Sequence, residues 1–182
     1  MLKIRKPNDF HHHLREKELL KLTTKNCFDK FHHVIVMPNL IRPIITIRQA
    51  LNYRKQILEL DNRGNPLMTL YLHPNIPKED LYDFKKYPQM IGIKYYPKSA
   101  TTNSHQGVEN IKNVYDILEI MEKENIPLLI HGENISCHVD IFHREKVFLK
   151  NELTFLLTNF PKLKLILEHI STKEAVEFVI QN

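Results

Sequence analysis

The chain has 182 residues, 42% hydrophobic and 26% charged, an ordinary globular balance that can bury a sizeable core as one domain. Its net charge of +5 comes from lysines and arginines dispersed along the whole chain, without a GxxG, RNP or Cys/His finger pattern, which sets nucleic-acid binding aside. No run approaches the roughly 20 apolar residues of a membrane span. The basic start MLKIRKPNDF has no apolar segment behind it, and Cys27 and Cys137 stand far apart. A protein of the reducing cytoplasm, without membrane or disulfide framework, is expected.

The first element is DFHHHLRE (9–16), in which a short strand ends in His11-His12-His13 and LRE begins a helix. HVIVMPN (33–39) reads as a buried strand and its loop, and 46–60 as an amphipathic helix with Thr46 as N-cap. LMTLYLHP (67–74) is strand-like, KEDLYDFKKY (78–87) a short helix, MIGIKYYP (90–97) a strand and 108–125 a helix. IPLLIHGE (126–133) follows as strand, 140–158 as a long helix, LKLILEHI (163–170) as strand and 171–182 as a helix opened by Ser171. Strand and helix alternate through short loops, and the strands are apolar on both faces. That pattern predicts an α/β fold of βα units on a parallel sheet, either doubly wound or a (β/α) barrel. No GxGxxG follows the first strand, which argues against a dinucleotide site.

In a barrel the chemistry gathers where strands end. Those ends carry His11–His13, Asn39, Lys94, His131 and His169. Residues two apart on a strand share a face, so His11 and His13 can address one metal while His12 points away. An HxH by itself is more often solvated or capping, and a lone histidine after a strand is more often a hydrogen-bonded rim residue. Their recurrence at the same end of successive strands favours a metal such as zinc. His32-His33 precedes a strand and is given no role. An ammonium has no lone pair for a metal, so Lys94 is either a snorkelling rim lysine or a carbamate able to bridge two cations.

In order and spacing, DFHHHLR, VIVMPNL, IKYYPKSATTNS, PLLIHGE and LEHISTKEA resemble the bacterial dihydroorotases of the PyrC type, in the amidohydrolase superfamily. The resemblance covers essentially the whole chain. It implies a single metal-dependent amidohydrolase domain over 1–182, forming the N-terminal part of a TIM-type barrel: six βα units with the sheet unclosed. It further implies two Zn2+ per subunit, with His11 and His13 on one, His131 and His169 on the other, and carboxylated Lys94 between them. Arg15 and Asn39 match residues that hold the substrate's carboxylate end, Thr101 and Thr102 match a loop that closes over it, and His13 and His131 also face the substrate. The usual middle residue of HxH is apolar, so His12 departs from the pattern.

The implied reaction is the reversible cyclisation of N-carbamoyl-L-aspartate to L-dihydroorotate in pyrimidine biosynthesis, by a cytoplasmic enzyme for which a homodimer is one expected assembly and which needs neither nucleic acid nor membrane. A whole barrel takes about 250 residues. The family's proton-carrying aspartate lies at the end of an eighth strand, so the sequence reads as C-terminally truncated, with the catalytic acid/base unassigned. Asp140 follows the fifth strand and cannot take that part. Little or no turnover is expected from these residues alone. The alternative is a decayed, non-catalytic metal-binding remnant of the enzyme.

Overall fold

A computed structural model describes residues 3–182. Six parallel strands run in sequential order: β1 (Asp9–His12), β2 (His33–Val36), β3 (Asn65–Tyr71), β4 (Met90–Tyr95), β5 (Leu128–Ile130) and β6 (Leu165–Leu167). Helices α1 (Lys17–Lys30), α2 (Ile47–Leu60), α3 (Lys78–Asp83), α4 (Tyr115–Glu124), α5 (Arg144–Phe148) and α6 (Thr154–Asn159) fill the crossovers, and α7 (Lys173–Gln181) follows β6. The sheet curls into a half-barrel, as expected for an incomplete TIM-type α/β barrel, and among the described residues β1 and β6 do not pair with each other. None of the described helices is long and apolar enough to cross a membrane.

The core lies between sheet and helices. Val34, Val36, Met68, Leu70, Ile93 and Leu128 share one buried cluster with side chains from α1, α2 and α4, such as Phe28, Ile57 and Leu118. Thr46 caps α2 as expected: its hydroxyl accepts from Gln49 N at 3.1 Å while Gln49 Oε1 accepts from Thr46 N at 3.0 Å. Gly92 allows close contact between β4 and β5, because a Cβ there would stand 2.5 Å from Leu129 Cδ1 and 2.9 Å from the Pro127 carbonyl. Some of the exposed apolar side chains lie at the two outer strands, Ile4 and Phe10 by β1 and Ile166, Val176, Val179 and Ile180 by β6 and α7. That is where an unclosed barrel leaves its inner and outer faces bare.

Several boundaries differ from the sequence reading, beginning with α1, which starts at Lys17 and not within Leu14–Glu16 because Glu16 is its extended N-cap. Residues 108–110 are not helical, since Val108 bridges Pro97 and Asn110 caps a 3-10 turn, Ile111–Val114, that leads into α4. The run 140–158 is a 3-10 turn capped by Asp140, then α5, a π-helical turn at Leu149–Leu153 and α6. Thr154 Oγ1 donates to Leu149 O at 3.0 Å across that π turn, an i to i−5 bond. The N-cap of α7 is Thr172, not Ser171. The Thr172 hydroxyl accepts from Ala175 N at 3.2 Å, while the carboxylate of Glu145, in α5, accepts from Ser171 N at 3.1 Å and holds that residue before the cap.

Candidate metal centre

β1 delivers two imidazoles to one side. His11 and His13 bring their Nε2 atoms to 3.2 Å, while His12 turns away to bond Asp9 Oδ2 through Nδ1 at 2.8 Å. Asn39 Oδ1 lies 2.8 Å from His13 Nδ1. An amide oxygen only accepts, so the His13 proton sits on Nδ1 and its Nε2 lone pair is directed toward His11. His169 follows β6 with φ 39°, a left-handed backbone that an imidazole residue adopts only at a cost. Its ring centroid lies 5.0 Å from that of His11 and 4.8 Å from that of His131, which follows β5. The four rings therefore form an arc from β1 to β6 at the C-terminal end of the sheet.

Lys94, on β4, lies opposite Tyr71 on β3 and Leu129 on β5, and its side chain is fully buried. It does not point to bulk water. Its partner is Glu168, whose other carboxylate oxygen stands 3.1 Å from His11 Nδ1. Glu168 was not singled out in the sequence. The available signal was an acidic residue closing the apolar strand run LILEHI, one position before the histidine. His11, Glu168 and His169 each offer a ligand atom, all within 4.8 Å of one another, a group that could hold a metal ion.

Burial sets the charge state. It is the main cause that lowers His13, His131 and His169 to about 4, with Arg15 adding to the effect at His13 and Lys94 at the other two. These imidazoles are neutral near pH 7 and keep a lone pair for a Lewis acid. Burial likewise pushes Lys94 down to about 8 against the pull of Glu168. For Glu168, burial acts upward, but His11 and Lys94 outweigh it and hold the carboxyl below its ordinary range.

The remaining candidates flank this arc. Arg15 has φ 66° and its carbonyl accepts from Tyr53 OH at 2.5 Å; its Nη1 is buried without a partner. Asn39 Nδ2 donates to the Thr102 carbonyl at 2.9 Å, and Asn103 Nδ2 donates to the Asn39 carbonyl at 3.1 Å, so the loop after β4 is tied to the residue that orients His13. The side chains of Thr101 and Thr102 are exposed. His33 opens β2 at the opposite end of the sheet and bonds Asn65 at 3.0 Å. Glu133 Oε1 meets His131 Nε2 at 3.0 Å, and a cleft lined by Gly132, Glu133, Arg144 and His169 opens there.

The donor set fits a divalent zinc-type cation: imidazoles gathered at one end of the sheet, one of them oriented by an amide, and a buried carboxylate beside His11 and His169. No protein-family model matches the chain. Its sequence is 44% identical to a dihydroorotase of Acinetobacter baumannii (strain SDF) over 178 residues, 96% of this chain and 52% of that protein. Along nearly its whole length the chain is similar to dihydroorotases. It spans about half the length of the curated relatives it matches. The crystal structure of the Saccharomyces cerevisiae dihydroorotase in complex with 5-fluoroorotic acid superposes with a TM-score of 0.89 at 31% identity, over 96% of this chain and 50% of that one. The Campylobacter jejuni dihydroorotase superposes at 0.86 and 37% identity, over 97% of this chain and 51% of that one.

Proposed function

We propose that the chain carries the metal-holding part of a zinc-dependent cyclic amidohydrolase that interconverts N-carbamoyl-L-aspartate and L-dihydroorotate. The observation behind this reading is the arc of four imidazoles, joined through Glu168 to buried Lys94, within a chain whose relatives are dihydroorotases. His11 and His13 would hold one zinc and His131 and His169 a second, with Lys94 bridging them as a carbamate. Residues 1–182 would make up one domain of this kind, acting in the cytoplasm in pyrimidine synthesis.

When bound, such cations lower the pKa of water and polarise an amide carbonyl. The chain's own residues prepare the rest. Asn39 fixes the tautomer of His13, and burial keeps three of the imidazoles unprotonated. Arg15 presents a planar fork suited to a carboxylate, and its unpartnered Nη1 is a donor free to meet one. Its main chain is held by the Tyr53 hydroxyl, which donates to the Arg15 carbonyl. His13 and His131 would face the substrate, and Thr101 and Thr102 would close over it, their loop anchored through Asn39.

Proton transfer to the leaving nitrogen needs a positioned acid, typically worth about 10²–10⁴-fold, and none is assigned among these residues. The 182 residues alone are therefore expected to turn over dihydroorotate slowly or not at all, whereas a chain extended by the half that the relatives share should be active. The test is to follow dihydroorotate hydrolysis by both zinc-loaded proteins. Full rates from the 182 residues would show that another residue carries the proton. No activity from the extended chain would favour the second reading, a metal-binding remnant.

A further inference from the structure

Two buried phenols face the same mouth and are not accounted for by the ligand set. Tyr71 and Tyr96 are 0% and 1% exposed, and both hydroxyls lack a hydrogen-bond partner. Neither residue belongs to the core cluster that the helices cover. Tyr71 is opposite Lys94 in the β3–β4 register, so the two share a face of the sheet. Tyr96, two residues beyond Lys94, stacks on Tyr71 at 5.1 Å, and the Lys94 Nζ lies over its ring at 5.2 Å from the centroid.

A buried hydroxyl left unbonded costs about 1–3 kcal/mol, and two side by side are hard to explain as packing alone. Their surroundings define the missing acceptor. The two hydroxyls belong to stacked rings beside Lys94, at the end of the sheet where the imidazoles gather. Arg15 Nη1 is a third buried donor without a partner. A guanidinium only donates, and the two phenols also lack an acceptor, so the surplus of donors suits an acceptor-only group such as a carboxylate.

We infer that Tyr71 and Tyr96 are binding residues of the mouth, their two hydroxyls donating to a carboxylate oxygen. Two sources carry that chemistry, the carboxylate of a bound small acid and a carboxyl group added to Lys94 Nζ. The inference rests on the proposed function for both. In the added-carboxyl case the neutral amine's lone pair forms an N–C bond to carbon dioxide, one C–O π pair moves onto oxygen, and the displaced N–H proton leaves to solvent.

The test compares Tyr71→Phe and Tyr96→Phe, which each remove one oxygen and keep the stacked ring. On zinc-loaded chain, binding of L-dihydroorotate is read from its shift of the melting temperature. The lysine carbamate is read by 13C NMR after equilibration with labelled bicarbonate, with Lys94→Met as the blank. Hydrogen bonds to charged groups are worth about 1.5–3 kcal/mol, so loss of one corresponds to about 10- to 100-fold weaker binding. Weakened dihydroorotate binding with an intact carbamate signal assigns the hydroxyls to the bound acid, and loss of the carbamate signal assigns them to Lys94. In the metal-free, bicarbonate-free chain both variants should melt at least as high as the unmodified protein. Unchanged binding and unchanged carbamate in both variants would overturn the inference, as would a lower melting temperature of the bare chain. If the unmodified chain shows neither binding nor carbamate, the proposed function fails and the inference falls with it.

Discussion

Lys94 and Glu168 are each other's charge partner inside the half-barrel: the ammonium on β4 is fully buried and touches the carboxylate that closes β6. Removing one member of such a pair leaves an uncompensated buried charge, at a cost of about 3–5 kcal/mol. Glu168→Gln should therefore destabilise the metal-free chain by that order in urea denaturation. The double variant with Lys94→Met should recover most of the loss. A Glu168→Gln single variant as stable as the unmodified chain would show that the pair does not carry charge there.

Asn39 acts on metal through His13. Partners that orient a ligating histidine are worth about 10–100-fold in metal affinity, so Asn39→Ala should weaken zinc binding by that range in a competition assay with a chelating dye. His12→Ala, which alters a ring turned toward Asp9, should leave zinc affinity unchanged.

Acid should unfold the metal-free chain through the same histidines. His13, His131 and His169 are lowered from 6.5 to about 4, mainly by burial. Across that window the unfolded chain binds protons that the folded chain does not, so stability rises with pH through it and is lost as pH falls from about 6.5 toward about 4. Urea midpoints measured from pH 7.5 down to 4 should fall along this interval. A flat profile would mean that the imidazoles are not held neutral.

Gly92 is a packing constraint two residues before Lys94. A Cβ there would meet the Pro127 carbonyl at 2.9 Å and Leu129 at 2.5 Å. Overpacking of this kind costs about 1–3 kcal/mol, and Gly92→Ala should lower the urea midpoint accordingly while splaying β4 from β5. Hydrogen exchange at the β5 amides should rise in the variant.

The sheet was legible because each strand is a short apolar run beside a helix with its own periodicity, as in HVIV before the Thr46-capped α2. Helix boundaries were less so. The run 140–158 keeps its apolar spacing across a 3-10 start and a π turn, and the carboxylate of Glu145, from another element, decides that Thr172 caps α7. The imidazoles could be placed because they stand at strand ends, where a two-residue period fixes their side. Glu168 and the tyrosine pair could not. Their significance lies in contacts across the barrel mouth, from β6 to β4 and β1 and from β3 to β4, which no local pattern encodes.

Metal content read together with ligand deletion tests the site most directly. The chain should be purified in zinc and bicarbonate, dialysed, and its bound metal measured by elemental mass spectrometry beside His11→Ala and His131→Ala. Two zincs per chain are expected in the unmodified protein, with one or none in each variant while circular dichroism stays unchanged. A chain that retains no zinc, or retains the same amount after loss of His11 and of His131, would contradict the metal centre and the amidohydrolase reading built on it.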